Sequence, residues 1–335
     1  MRNKISAVPA IETEGLERTF GSRGRVLTAV DGIDIEVAPG EVYGFLGPNG
    51  AGKTTTVRML VTLLRPTGGV ARVAGFDVAR ESGEVRRRIG VAPQEAALDL
   101  LMTGRELMEL QATLHGIAPR DVHDRATNLI ERVGLEQAQD RRVGTYSGGM
   151  RRRLDLAMAL IHQPEVLFLD EPTTGLDPTS RVTLWDEVRR LKHEGTTVFL
   201  TTQYLEEADQ LADRVGIISA GKIVAEGTPT QLKAEIGRPH LDITLADGAG
   251  EDDFARAREV LRRFGEDRPP TPDCHLSVTV ERGAADIAQV VRVLDDAGFT
   301  VESLDLVRPT LDDVFLAKTG GHLEGADEAA VEPTA

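Results

Sequence analysis

Eight consecutive residues, Gly47-Pro48-Asn49-Gly50-Ala51-Gly52-Lys53-Thr54, fit the spacing GxxxxGK[ST] of a phosphate-binding loop. The apolar run Val42–Leu46 precedes them, and a helical run over residues 54–64 follows. In such a loop, backbone N–H groups surround the phosphates, a lysine reaches the terminal ones and a hydroxyl holds Mg²⁺. The pattern therefore predicts a strand, a loop and a helix of an α/β fold that binds ATP or GTP.

The candidate nucleotide-binding residues of this loop are Gly47, Pro48, Asn49, Gly50, Ala51, Gly52, Lys53, Thr54 and Thr55. The alternative is an ordinary glycine-rich turn. It would leave Lys53 unexplained, because a buried ammonium at a helix N-terminus opposes the helix dipole unless an anion lies between them.

Two carboxylates, Asp170 and Glu171, directly follow a second apolar run at residues 165–169. Such a short continuous run is typical of a parallel strand covered on both faces. Ligands of open α/β sheets bind beyond the carboxyl ends of the strands, so one carboxylate can serve Mg²⁺ while the next polarises an attacking water. A solvated strand end that caps the next segment is the less favoured alternative.

A third segment, Ser147-Gly148-Gly149-Met150, has the residues of a structural helix cap with a turn. The family resemblance described below implies instead a helix N-terminus that binds an anion. Arg151, Arg152 and Arg153 follow in the first turn, where positive charge opposes the dipole. They either neutralise phosphate or lie on a solvated face, and we favour the solvated face.

Composition limits the functional classes. The chain of 335 residues has room for one large and one small domain, and its single cysteine, Cys274, excludes an internal disulfide and favours a reducing compartment. No run approaches the ~18 apolar residues of a membrane-spanning helix, and residues 1–14 lack the apolar core of a signal peptide. The net charge of −15 argues against a nucleic-acid partner.

The hydrophobic pattern predicts a nucleotide-binding domain over residues 1–236, with an all-helical insert at about 95–145. In that insert Thr103 and Glu106 form a capping box before a helix whose apolar face carries Leu107, Leu110 and Leu114. A small α/β domain is predicted for residues 237–320 in the order β-α-β-α-β, with a bulge in its last strand and a final helix beginning at Thr310. Residues 321–335 are predicted to form a disordered tail.

Gln94 follows a predicted strand, and Gly175-Leu176-Asp177 follows the two carboxylates. With these residues and the segments above, the chain resembles ABC-transporter nucleotide-binding subunits over about residues 10–235. These motifs agree in order and spacing. Three segments resemble those of the daunorubicin-resistance class of drug exporters. They are Tyr146-Ser147-Gly148-Gly149-Met150, Thr201-Thr202-Gln203-Tyr204 and the terminal Leu311-Asp312-Asp313-Val314-Phe315. That narrower likeness extends to about Gly320.

The resemblance implies a P-loop ABC ATPase fold, a mixed sheet with a helical subdomain, followed by a small α+β domain. It implies a homodimer that sandwiches two ATP molecules with Mg²⁺, in which Ser147, Gly148 and Gly149 of one copy contact the nucleotide held by Lys53 of the other. It also implies a separately encoded membrane permease as partner, a peripheral location on the cytoplasmic face of the cell membrane, and export of a drug or antibiotic.

The resemblance further implies roles for single residues. Phe20 would stack on adenine, although a core phenylalanine is nearly as compatible with the sequence. Gln94 would contact Mg²⁺ and water, and Asp177 belongs to the nucleotide-binding set. The implied metal ligands are Thr54, Gln94 and Asp170, and the implied catalytic residues are Glu171 and Gln203.

Three residues depart from the family pattern. Met150 replaces the usual glutamine and Tyr146 the usual leucine, which matters little if backbone amides contact the γ-phosphate. Gln203 replaces a histidine, and glutamine can donate a hydrogen bond but exchanges no proton near neutral pH. We therefore expect Glu171 to orient the water and Gln203 only to position phosphate.

Other functions fit parts of the sequence. A lipid or polysaccharide could replace the drug, because the substrate path lies in the permease. A soluble, non-transport ABC ATPase would usually carry two nucleotide domains or a long coiled coil, and a regulatory module would not need the Asp170–Glu171 pair. For the small domain, contact between two copies is the favoured role.

Overall fold

The computed structural model describes residues 8–22, 25–94, 98–246, 250–268 and 275–320. These residues fall into two compact units, one of residues 8–229 with 318–320 and one of residues 230–317. The chain therefore divides at the start of helix α8 (Pro229–Ile236), whereas the predicted boundary falls at its end. The predicted tail, Cys274 and the start of the predicted helical insert, residues 95–97, lie outside the described residues.

The first unit is built on two sheets. Its strands are β1 (Ile11–Ser22), β2 (Arg25–Val37), β3 (Val42–Leu46), β4 (Gly68–Val73), β5 (Phe76–Asp77), β6 (Ile89–Ala92), β7 (Val166–Asp170), β8 (Thr197–Thr202), β9 (Arg214–Ser219) and β10 (Lys222–Gly227). One sheet has the order β2-β1-β4-β5 and is antiparallel. The other has the order β10-β9-β3-β8-β7-β6 and is parallel except for β10.

The helices of this unit connect and cover these strands. They are α1 (Lys53–Leu60), α2 (Ser82–Arg88), α3 (Gly104–Leu114), α4 (Pro119–Arg132), α5 (Gly148–Ala159), α6 (Pro178–His193) and α7 (Leu205–Leu211). None of the described helices is long and apolar enough to span a membrane.

The middle strands of the six-stranded sheet are buried on both faces. Along β3, β7 and β8 every residue is buried. Val42 belongs to one apolar core, with the helical insert and α6, while Tyr43 and Phe168 belong to a second core with α1 and the antiparallel sheet. Because successive strand residues point to opposite faces, continuous apolar runs arise wherever both faces are covered.

Helix α1 ends four residues earlier than the apolar pattern predicts. Thr62 adopts the left-handed region at φ 66°, and the backbone N–H groups of Leu63 and Leu64 both donate to the Arg58 carbonyl oxygen. These bonds satisfy a carbonyl that would otherwise lack a partner at the helix end. The early stop leaves Leu63 exposed.

The predicted capping box that opens α3 is confirmed, since Thr103 and Glu106 each accept a hydrogen bond from the other's backbone N–H. The predicted apolar face is only partly right. Leu107 is buried as expected, but Leu110 and Leu114 are exposed, and Met108 and Ala112 are buried instead. The buried face of α3 is therefore rotated by about one residue position from the predicted apolar face.

The second unit holds α8, β11 (His240–Leu245), α9 (Glu251–Leu261), β12 (Asp267–Arg268), β13 (Leu276–Thr279), α10 (Ala284–Asp296), β14 (Val301–Val307) and α11 (Leu311–Thr319). Its antiparallel sheet has the order β12-β13-β11-β14. The short strand β12 is an addition to the predicted order. The predicted bulge in the last strand is present, because Thr244 and Leu245 of β11 pair with Ser303 and Val301 and leave Glu302 of β14 as the extra residue. Thr310 caps α11 through reciprocal hydrogen bonds with Asp313.

Candidate nucleotide-binding site

The phosphate-binding loop joins β3 to α1, and two of its glycines pass close to neighbouring backbone. A Cβ atom at Gly47 would lie 2.4 Å from the Ile218 carbonyl oxygen, and one at Gly52 would lie 2.5 Å from that of Ala29. Gly52 also takes a φ of 114°, and no side chain caps the N-terminus of α1 there. An uncapped helix N-terminus offers backbone N–H groups to phosphate oxygens, so the loop fits a nucleotide.

Lys53 begins α1 and is buried. Its Nζ donates to the Gly47 carbonyl oxygen at 2.6 Å and to that of Pro48 at 3.2 Å, and it lies 3.8 Å from Glu171 Oε1. Burial lowers the pKa of Lys53, and the nearby charges of Glu171 and Asp170 partly oppose that shift. The ammonium is therefore held where an additional negative ligand would stabilise its charge.

Glu171 follows β7 directly and adopts the left-handed region at φ 46°, a conformation that costs a non-glycine residue energy. Its backbone N–H donates to the Thr201 carbonyl oxygen at 3.0 Å, and its Oε2 accepts a hydrogen bond from Gln94 Nε2 at 2.9 Å. A strained backbone held by neighbouring groups is common at functional sites. The structure thus brings Glu171, Gln94 and Lys53 together.

Asp170 is the last residue of β7 and is buried. Its Oδ1 accepts a hydrogen bond from Thr201 Oγ1 at 2.5 Å. Asp170, Thr54 and Gln94 would supply a carboxylate, a hydroxyl and an amide oxygen, which are the oxygen ligands that Mg²⁺ prefers. The residues present therefore fit a magnesium ion bound together with nucleotide phosphates.

A cavity of about 170 Å³ lies over the loop, and predicted residues form nearly all of its wall. It is lined by Ala29, Pro48, Asn49, Gly50, Gly52, Lys53, Thr54, Thr55, Gln94 and Glu171. Of the predicted loop residues, Gly47 and Ala51 are buried and do not line it. Larger cavities, of about 470 and 640 Å³, lie in the second unit, but their walls contain no phosphate-binding loop.

Phe20 and Gln203 are not among the residues that line this cavity. Phe20 lies on β1 with 39% of its surface exposed, and the Arg18 guanidinium carbon is 4.5 Å from its ring centroid. Because the ring is exposed, the alternative of a core phenylalanine is wrong. Gln203 is half-buried in the turn after β8.

The segment Ser147–Gly149 is also not part of the cavity wall in the same chain. Ser147 is the N-cap of α5, where its hydroxyl accepts a hydrogen bond from the Met150 backbone N–H at 3.2 Å. Ser147 and Gly148 are exposed, whereas a Cβ atom at Gly149 would lie 2.4 Å from Ser180 Oγ. The segment therefore presents an exposed helix N-terminus.

Asp177 caps α6, accepting hydrogen bonds from the Ser180 backbone N–H at 2.9 Å and from Ser180 Oγ at 2.6 Å. These bonds, the one from the Ser180 hydroxyl first, lower the pKa of Asp177. Tyr146 is buried, and its hydroxyl donates to the Ala138 carbonyl oxygen at 2.7 Å. Asp177 therefore fixes the start of α6, and Tyr146 anchors the residue before Ser147 to the helical insert.

The expectation that the three arginines lie on a solvated face is wrong for Arg152, which is only 7% exposed. Its guanidinium donates to the carbonyl oxygens of Asp170 and Pro172 and pairs with Asp155. Arg153 is half-buried and donates to the Val133 and Gly134 carbonyl oxygens. The one sequence signal for this burial is Asp155, three residues after Arg152, which is an ion-pair spacing and the only charge in the run 154–159.

Sequence reasoning also missed Glu207, a fully buried carboxylate in the first turn of α7. Trp185 Nε1 donates to its Oε1 at 3.2 Å. Burial raises the pKa of Glu207 to about 7, although the hydrogen bond from Trp185 acts in the opposite direction. No local pattern distinguishes it from the exposed Glu206 beside it.

Two family models match the chain. The ABC transporter model matches residues 30–174, which contain the loop, Gln94, the Ser147 segment and the two carboxylates. The model described as the C-terminal domain of DrrA1-3-like ATP-binding proteins matches residues 227–319.

Known proteins agree with both models. The chain is 51% identical to the daunorubicin resistance ATP-binding protein DrrA3 of Streptomyces coeruleorubidus, over 93% of this chain and 96% of the relative. It is 47% identical to the daunorubicin/doxorubicin resistance ATP-binding protein DrrA of Streptomyces peucetius, over 97% and 96%. A solved dimeric ATP-binding cassette, MJ0796 in a post-hydrolysis state bound to ADP and Pi, shares the fold with a TM-score of 0.61 and 23% identity, covering 65% of this chain and 98% of that one. The chain belongs to the ATP-binding subunits of ABC transporters, in the class of the daunorubicin-resistance proteins.

Proposed function

We propose that this chain binds and hydrolyses ATP and thereby powers the export of a drug or antibiotic through a separate membrane permease. The observation that carries the proposal is the meeting of Lys53, Gln94 and Glu171 at the phosphate-binding loop, with Gln94 bonded to Glu171 at 2.9 Å. These are the charges and donors that phosphoryl transfer to water requires. The relatives' names, which specify daunorubicin and doxorubicin resistance, support the choice of cargo.

The residues of the site would have distinct roles in the reaction, and Gln94 would have two. Glu171 orients the attacking water and accepts its proton, and Gln94 holds that carboxylate in place. Lys53 neutralises the terminal phosphates, and Gln203 donates a hydrogen bond to the γ-phosphate. A magnesium ion bound by Thr54, Gln94 and Asp170 would neutralise further phosphate charge. Phe20, whose ring is exposed on β1, would stack on the adenine.

The ATP sites are completed by a second copy of the chain. Ser147 and Gly148 are exposed at the start of α5 and do not line the cavity of their own chain. An exposed helix N-terminus can bind the γ-phosphate presented by another subunit. Asp177, which caps α6 beside Gly149, would support this contact.

The permease docks on the helical insert, at the cytoplasmic face of the cell membrane. The insert exposes Leu100, Leu101, Leu110 and Leu114. Exposed apolar side chains of this kind mark protein interaction sites.

The proposed docking surface can be tested with matched leucine variants. Leu101 is 76% exposed on the insert, and Leu63 is 74% exposed after α1. We expect Leu101→Asp to lose co-purification with the permease encoded beside this chain, and Leu63→Asp to keep it. Equal recovery of the permease by both variants would count against the surface.

The function as a whole is tested in vesicles that contain the chain and its permease. Daunorubicin should stimulate phosphate release from ATP, and the Lys53→Ala chain should show neither release nor stimulation. Stimulation by a lipid or polysaccharide, with none by daunorubicin, would assign a different cargo. ATP-independent daunorubicin transport would reject the proposal.

A further inference from the structure

Arg152 has an unusual set of partners for an arginine near a helix N-terminus. Its Nε donates to the Pro172 carbonyl oxygen at 2.9 Å, and its Nη2 donates to the Asp170 carbonyl oxygen at 3.0 Å. Its Nη1 donates to the Pro93 carbonyl oxygen and pairs with Asp155 Oδ2 at 3.2 Å. One guanidinium therefore joins α5 to two other segments of the chain.

Those two segments are the ones that carry the reacting groups. Asp170 and Pro172 lie directly before and after Glu171, whose backbone takes the left-handed φ of 46°. Pro93 lies directly before Gln94, whose side chain donates to Glu171. Arg152 thus holds the backbone on both sides of Glu171 and directly before Gln94. A strained conformation persists only where its surroundings hold it in this way.

The charge of Arg152 is costly to bury. Burial lowers the pKa of Arg152, and burial raises the pKa of its carboxylate partner Asp155 to about 6. A buried ion pair contributes little net stability compared with an apolar pair of the same size. The planar guanidinium of Arg152 has five N–H donors in a fixed geometry, and it can therefore donate to three carbonyl oxygens at once.

We propose that Arg152 is a positioning residue for ATP hydrolysis, which holds Glu171 and Gln94 in their reactive arrangement through the carbonyl groups of Pro93, Asp170 and Pro172. This rests on the proposed function. Arg152 lies on the helix that begins at Ser147, so the same guanidinium ties the position of Glu171 to the segment that contacts the partner copy's nucleotide.

The test compares two arginines of the same helix. Arg152→Gln combined with Asp155→Asn removes both charges, so that no unpaired charge stays buried. Arg153→Gln is the control, because Arg153 also donates to two backbone carbonyl oxygens, those of Val133 and Gly134, but touches neither flank of Glu171. ATP affinity by calorimetry and kcat for phosphate release are measured for each full-length variant.

We expect the Arg152→Gln/Asp155→Asn chain to bind ATP within about twofold of the wild type and to lose at least about tenfold in kcat, as misplaced catalytic groups do. The Arg153→Gln chain should keep kcat within about twofold. If the double variant does not fold, Arg152→Lys replaces it under the same criterion, because one ammonium lacks the planar fork that fits the three carbonyl oxygens.

A second readout separates positioning from a general structural role. With Glu171→Gln present in both proteins, adding Arg152→Gln/Asp155→Asn should leave ATP-driven dimer formation within about twofold. A kcat within about twofold of the wild type, or a loss of the dimer, would overturn the inference. A wild-type chain without ATPase activity would instead reject the proposed function itself.

Discussion

We expect nucleotide affinity to depend most directly on Lys53. Its ammonium is buried, bonded to two loop carbonyl oxygens and within 3.8 Å of a carboxylate. We expect Lys53→Ala to weaken ATP binding by at least about tenfold, because hydrogen bonds to charged groups contribute about 1.5–3 kcal/mol. Calorimetric titration with ATP measures this.

The control for that variant is Lys222→Ala. Lys222 is exposed on β10 and pairs with Asp31 at 3.2 Å, and exposed ion pairs contribute little. ATP binding of the Lys222→Ala chain should match the wild type. Unweakened binding by the Lys53→Ala chain would contradict the assignment of the loop.

Helix α7 buries Glu207 against Trp185 of α6, and this packing makes stability depend on pH. Burial raises the pKa of Glu207 from 4.5 to about 7, so the folded state binds a proton that the unfolded state has already lost. This contribution to stability is fully present below pH 4.5, decreases as the pH rises towards 7 and is constant above it.

We expect Glu207→Gln to reduce the loss of stability between about pH 5 and pH 7, by at most about 1.4 kcal/mol per pH unit. Urea unfolding followed by fluorescence of Trp185, the single tryptophan, measures this difference. Glu206→Gln, one residue away and exposed, is the matched control. Parallel pH profiles of the wild type and the Glu207→Gln chain would contradict the buried-proton account.

Elements whose signals are local in sequence could be predicted. The capping boxes at Thr103 and Thr310 depend on a partner three residues away, and the buried strands follow from continuous apolar runs. The buried state of Arg152 could not be predicted in this way, because it depends on Pro93 and Asp170, which only tertiary structure brings near α5. The exposed Leu110 and Leu114 were misplaced for a related reason, since Met108 and Ala112 satisfy the same helical period.

At the level of the whole protein, the exposed Ser147 segment predicts assembly of two copies around ATP. The mass of the Glu171→Gln chain in solution, measured by light scattering, should double from 36.2 kDa when ATP is added. Adding Ser147→Glu should keep the chain monomeric, because a carboxylate in place of the hydroxyl repels the γ-phosphate at the expected contact. A constant mass of the Glu171→Gln chain with ATP would contradict the shared site.

We propose that Glu171 carries out the hydrolytic step at a site that Lys53 and Gln94 complete. The most direct test is steady-state phosphate release by the Glu171→Gln chain at saturating ATP. We predict wild-type ATP affinity with release slowed by at least about a hundredfold, as expected when a general base is removed. Release at the wild-type rate would contradict the claim.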